Sequence, residues 1–155
     1  MNIVKAITLY QPYASLIIAG QKRFETRTWG AQYSGLLVIH AGKTLEVETG
    51  NRTFMYHLLA SGLGDYRKLP LGAALGVVWK GKCFKGRSVI PHIDEREKSF
   101  GGFEGDDRVA WELFNPVAFY QPIPMRGSQG LWDYPLALPD AILEQFADAI
   151  NLGAV

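Results

Sequence analysis

With 155 residues the chain suits one domain, and its 48% apolar and 20% charged side chains exclude a disordered tract and allow a buried core. Sixteen Lys and Arg against fifteen Asp and Glu give a formal charge of +1, which excludes reading nucleic-acid binding from net charge and leaves only a local basic patch open. Cys83 is the single cysteine, which excludes an internal disulfide framework and fits a reducing compartment.

The first residues, MNIVKAITLYQPY, show no charged leader before a long apolar run, and a Gln-Pro pair interrupts them. The longest apolar stretches, ASLIIA and GLLVI, are far too short to span a bilayer. A cytoplasmic protein with no membrane partner is the expectation.

VKAITLY alternates as a first strand, with Ile7 and Leu9 on one face. PYASLIIAG predicts a short buried helix, Pro12 at its first position and Gly20 just past its end. KRFETRTW predicts a strand with Arg23, Glu25, Arg27 and Trp29 on one face and Phe24, Thr26 and Thr28 on the other. LLVIHA predicts a strand buried on both faces. KTLEVETGNRTFMYHLLASG predicts a longer helix, weakened in its first half by Gly50. AALGVVWKGKCF predicts a strand ending in alternating basic residues, Lys80 and Lys82.

Residues 93–108, IDEREKSFGGFEGDDR, are charged and glycine-rich and predict an exposed, mobile loop. VAWELF and VAFYQPIPM predict two strands joined at Asn115 and Pro116, the second suited to an edge. DAILEQFADAINLG predicts one amphipathic helix, with Asp140 as N-cap and Ile142, Leu143, Phe146 and Ile150 on one face. About six strands and three helices, dispersed along the chain, predict an α+β domain on a small, mostly antiparallel β-barrel.

The charged stretch GQKRFETRTW opens two readings. In one, Lys22 and Arg27 meet the first N–H groups of the Pro12 helix, beside Gln11 and Tyr13, in an anion-sized pocket where Glu25 orients the cations. In the other it is an ordinary solvated strand whose Glu25 pairs with Arg23 or Arg27. Tyr10, Tyr13, Trp29 and Tyr33 surround it in sequence, a mixture that suits base stacking beside phosphate contact; for Tyr10 and Tyr13, core packing fits equally. Trp132 falls in a loop, suited to recognition or to closing a barrel end. His40 ends an apolar strand, as a hydrogen-bonded structural residue or as a ligand. His57, His92 and Cys83 have no partners at metal-ligand spacing, and no phosphate or dinucleotide fingerprint occurs, so neither metal nor cofactor is expected.

LYQPYASLIIAGQKRFETRTWGAQYSGLLVIHAGK resembles the ASCH domain (activating-signal-cointegrator homology) of the PUA-like superfamily, through QPYASLI, GQKRFETRTW and YSGLLVIHA in that order. LPLGAALGVV is similar to the family's middle strand and PIPMRGSQGLW to its closing segment. The resemblance covers most of residues 3–134 and leaves outside it a helix at about 139–152, within one expected domain of residues 1–155. It implies a PUA-like β-barrel with a cleft beside the first helix, floored by Lys22, Glu25 and Arg27. The implied partner is RNA or single-stranded nucleic acid, or a small modified nucleotide; protein partners are not indicated. The helix start at Gln11, Pro12 and Tyr13 would add amide donors from its free N–H groups, Trp29 or Trp132 stacking, and His40 a further contact. Lys80, Lys82, Lys85 and Arg87 could extend the basic surface.

Some small bacterial ASCH proteins similar to this chain at G-x-K-x-x-x-x-R act as acetylcytidine amidohydrolases through a lysine and a threonine nucleophile, and others as ribonucleases. The lysine falls on Lys22, but Glu25 occupies the threonine position and Thr26 belongs to the opposite face. The later-strand glutamate has no match in GVVWKG. A hydrolase would therefore rest on Glu25 activating water while Lys22 or Arg27 stabilises the oxyanion, and binding is placed ahead of it. A third reading is a protein-interaction module with an exposed apolar patch on the terminal helix.

Overall fold

The computed structural model describes residues 3–153. In chain order these form β1 (Lys5–Gln11), α1 (Tyr13–Ile18), β2 (Phe24–Arg27), β3 (Gly35–Leu45), α2 (Arg52–Leu59), β4 (Ala73–Lys85), α3 (Gly86–Val89) and α4 (Glu95–Phe100). β5 (Val109–Pro124), β6 (Leu131–Asp133), α5 (Asp140–Gln145) and α6 (Ala147–Gly153) follow. The six strands make one sheet in the order β2-β5-β4-β3-β1-β6. β1 and β3 run parallel, and the other neighbours are antiparallel. No ladder joins β2 to β6 among the described residues, so the expected closed barrel is instead an open, mixed sheet in an α+β fold. Its two edges are short, four residues in β2 and three in β6, which limits the unpaired backbone they present.

Both faces of the sheet are covered. Alternation sends Ile7 and Leu9 of β1 to one face and Ala6 to the other. Leu37 and Ile39 follow the first pair onto Trp111, while Val38 meets Phe119 and Tyr134 on the second face, where Ile142 and Phe146 close the layer. Burial on both sides explains the unbroken apolar run of β3.

α1 is apolar all round because it has two neighbours. Ile17 packs on the sheet, and Leu16 joins Phe54, Leu58 and Phe100 from α2 and α4. The Gln11 side chain finishes its first turn, Oε1 accepting from the Ser15 N–H at 3.0 Å. At the other end Gly20 takes φ 75°, and the N–H groups of Gln21 and Lys22 both return to the Leu16 carbonyl, at 2.9 and 3.1 Å. This turn carries Lys22 into the interior, where it is 2% exposed.

The helix expected from residue 43 begins only at Arg52. Residues 43–45 continue β3, Leu45 opposite Gln11, and Asn51 Oδ1 caps α2 by accepting from the Phe54 N–H at 3.0 Å. The stretch 93–108 is an exposed loop only in its second half, at 104–107. Asp94 Oδ1 accepts from the Glu97 N–H at 2.8 Å and starts α4, and Phe100 and Phe103 are each 3% exposed, in two separate apolar clusters. VAWELF and VAFYQPIPM are one strand, β5, which passes through Asn115 at φ 51°. The terminal helix is two: the chain bends at Phe146, which is drawn into the core, and Asp140 is the first helical residue, with Pro139 ahead of it and no side-chain cap.

Candidate binding cleft

A cleft of about 1610 Å³ opens between β1, β2, β3, the end of α4 and the loop at 125–130. β2 and β1 stand four places apart in strand order yet meet across it, because the sheet curls until Arg27 Nη2 reaches the Thr8 carbonyl at 3.2 Å. Five lining side chains are cations (Lys22, Arg27, Lys43, Arg108 and Arg126) against two carboxylates, Glu25 and Glu48. A groove with that imbalance focuses a positive potential, although the whole chain is nearly neutral.

Lys22, Glu25 and Arg27 all line the cleft, and of the two cations Glu25 is hydrogen-bonded to Arg27 alone. It accepts from Arg27 Nε at 2.9 Å. The carboxylate nearest Lys22 belongs to Glu97 of α4, with Oε2 at 4.0 Å from Nζ. Both side chains are buried, at 2% and 6% exposure, and neither Nζ nor Oε2 has a hydrogen-bond partner among the described residues. Burial pulls the Lys22 ammonium below the ordinary lysine range, while Glu25 and Glu97 raise it and Arg108 lowers it further. Burial pushes the Glu97 carboxyl up, opposed by Lys22 and by the N–H groups of Arg23 and Phe24.

Tyr13 and Trp29 also face the cleft, with Tyr10 beside them. The Tyr13 ring centre lies 5.9 Å from Lys22 Nζ. Its hydroxyl is pushed up to about 12, first by burial and then by Glu48, Glu46 and Glu25. Trp29 stands edge to face with buried Trp111 at 5.0 Å and keeps 37% of its surface open. Tyr10 is 53% exposed.

His40 reaches the cleft wall at 1% exposure, held in a directed chain. The Met125 carbonyl can only accept, so His40 Nε2 donates to it at 2.8 Å. Trp132 Nε1 can only donate, at 3.1 Å to Thr8 Oγ1, whose own hydrogen goes to His40 Nδ1 at 3.1 Å. A side chain at Gly127 would lie within 2.7 Å of His40 Cε1, so glycine lets the 125–130 loop close over the ring. Trp132 thus supports the wall from β6 and does not line the cleft.

Gln11 and Pro12 are likewise outside the lining. Gln11 is fully buried, with Nε2 donating to Ser15 Oγ and to the Pro70 carbonyl, and its Oε1 occupies a donor at the start of α1. Lys80, read as surface charge, is buried as well. Nζ donates to the carbonyls of Ala31, Tyr33 and Gly81 at 3.1, 2.7 and 3.0 Å. Alternation puts Thr26 on the far face of its strand, yet it lines the cleft, because β2 is an edge strand. Its Oγ1 accepts from Arg108 Nη2 at 3.2 Å and from the Gly102 N–H at 3.3 Å.

Sequence reasoning missed Glu97, Arg108, Thr8, Lys43 and Arg126. For Glu97 a signal existed: Asp94 and Glu97 have the spacing of a helix-starting capping box. Among the described residues no group of three His, Cys, Asp or Glu side chains could hold a metal ion, and no helix is long and apolar enough to cross a membrane.

A family model for the ASCH domain matches residues 7–123. Solved structures of an ASCH protein from Zymomonas mobilis are similar to this chain. A serine-to-alanine variant is 14% identical with a TM-score of 0.51, over 96% of this chain and 95% of that one. A tyrosine-to-phenylalanine variant is 13% identical at 0.52, over 96% and 97%. The protein without a stated substitution is 13% identical at 0.51, over 94% of each chain. Identities this low show a shared fold. A search of curated proteins gives no significant match.

Proposed function

The chain belongs to the ASCH domain family, which is associated with RNA binding, and from that premise we propose that its cleft binds RNA or a modified nucleotide. The observation that carries this reading is the Lys22 ammonium, buried at the cleft wall with no hydrogen-bond acceptor among the described residues. Leaving such a group unbonded is costly, and a phosphate or a base edge supplies the missing acceptor. Arg27, Lys43, Arg108 and Arg126 extend the cationic lining for a backbone, and Trp29 and Tyr10 offer rings for stacking. With a net charge of +1, a short strand or a single nucleotide fits better than an extended duplex.

The test is a titration of the protein with nucleotides, modified nucleosides and short single-stranded RNAs at two salt concentrations, with Lys22→Ala as the control. Affinity that falls with salt and needs Lys22 supports the reading. Binding to none of these, or binding that ignores salt, overturns it.

A hydrolase acting on a modified nucleoside or on RNA is the second reading. It is favoured by the loosened proton on Lys22, beside Glu25 and with Thr26 on the same cleft. Mass spectrometry of the same titrations distinguishes the two: turnover that Glu25→Gln abolishes makes the cleft catalytic.

A further inference from the structure

We propose that Glu97 is the positioning residue of the cleft: it holds Lys22 charged and aimed, and so sets the pH range over which the cleft accepts an anionic ligand. This rests on the reading that Lys22 contacts the ligand. It goes beyond that reading by assigning a role to a residue of α4, an element that the charged composition of 93–108 presents as solvated surface.

The local chemistry of α4 makes the placement of Glu97 informative. Asp94 is the N-cap and Glu97 stands three positions later, where a glutamate ordinarily reaches back to the N-cap N–H. Here the carboxylate turns inward instead. Oε1 accepts from the Arg23 N–H at 2.6 Å, across 74 positions of sequence, and Oε2 is left beside Lys22 Nζ. The neighbouring Arg96 makes a second clasp, Nη1 donating to Gln21 Oε1 at 3.0 Å. Two consecutive side chains of α4 therefore hold the residues on either side of Lys22. Phe100 anchors the far end of the helix with Leu16 and Phe54.

At 4.0 Å the Lys22–Glu97 pair is too long for a hydrogen bond and short enough for a strong charge interaction in a buried site. A pair built only for stability would be drawn together and saturated, because two half-satisfied buried ions cost more than they return. This spacing leaves the donor capacity of Lys22 open toward the cleft. The other charged or titratable groups around Lys22 are Glu25 on β2, Tyr13 on α1 and Arg108 ahead of β5. Glu25 exerts the larger pull on Lys22 but is bonded to Arg27, and Arg108 opposes the charge; Glu97 is the carboxylate within 4.0 Å of Nζ, with an Oε2 that has no other partner among the described residues.

The decisive measurement is the titration of the Lys22 Nζ and Cε signals by heteronuclear NMR without any ligand, assigned with Lys22→Arg. Glu97→Gln keeps the acceptor for the Arg23 N–H and removes the charge. An opposite charge at this range is worth about 1–3 pH units, so the Lys22 midpoint falls by roughly that much in Glu97→Gln. An unchanged midpoint overturns the proposal. Should Glu97→Gln fail to fold, the reciprocal variant decides: in Lys22→Met the Glu97 carboxyl signal titrates at higher pH than in the parent, and an unmoved signal overturns the proposal. Binding of a short single-stranded RNA across pH is then measured in parent and Glu97→Gln. Loss of affinity at a lower pH in the variant, by the same shift, completes the support. A shifted Lys22 midpoint with RNA affinity that ignores pH in both proteins refutes the ligand contact and, with it, the claim that Glu97 sets the accepting range. An absent shift alongside pH-dependent RNA affinity refutes Glu97 alone.

Discussion

Two lysines are buried among the described residues, each near an aromatic ring, and they differ in their hydrogen-bond partners. Lys80 gives its three hydrogens to three carbonyls and lies 5.1 Å from the Trp111 ring centre. Lys22 gives none, standing 4.0 Å from one carboxylate at the edge of a cleft. The first is a structural clamp that ties β4 to the 31–33 connection. The second carries a bonding capacity at a cleft that no described residue fills. Partners, and not depth, separate a lysine that holds the fold from one left open at a cleft.

The largest effect expected from breaking this contrast is on stability. Lys80→Met strands three carbonyls and costs about 3–5 kcal/mol in urea unfolding. Lys22→Met strands no hydrogen bond, and its cost is the Glu97 charge it leaves buried and unpaired, which Glu97→Gln in the same chain removes. A loss that persists in that double variant would mean that Lys22 is as structural as Lys80. Next, removing both ions of the cleft pair should stabilise. Lys22→Met with Glu97→Gln keeps the bond to the Arg23 N–H and raises the unfolding free energy by about 1–4 kcal/mol over the parent, at the expense of binding. A destabilised double variant would show that the pair supports the fold.

On affinity, Lys22→Ala should weaken RNA binding roughly 10–100-fold, the range of one charge-assisted bond, while Lys82→Ala, outside the cleft, leaves it unchanged. The smallest effect is a slope of stability with pH. Lys22 sits below the ordinary 10.5 in the folded chain, so between the two values the unfolded chain holds the extra proton and stability rises as pH climbs. Glu97 lies above 4.5, so just above that value the folded chain holds the extra proton and stability falls as pH climbs. Urea titrations across pH should lose the first slope in Lys22→Met and the second in Glu97→Gln.

Much of the local frame was legible in the sequence. Pro12 and Gly20 bracketed α1 and alternation assigned Ile7 and Leu9 to one face, which follow from the periods of helix and strand and from the backbone limits of proline and glycine, acting over a few residues. The resemblance at GQKRFETRTW, and not periodicity, pointed to three residues that do line the cleft. The tertiary structure alone decided that the sheet stays open, that Lys80 is a clamp and Trp132 a support, and that Gln11 serves α1. It alone decided which carboxylate faces Lys22. Glu97 is one acid in a run of charge that reads as solvated surface, and only the docking of Phe100 and Phe103 into two apolar clusters turns that run inward. Charge partners are set by distances across the fold, and sequence periodicity carries no information about those.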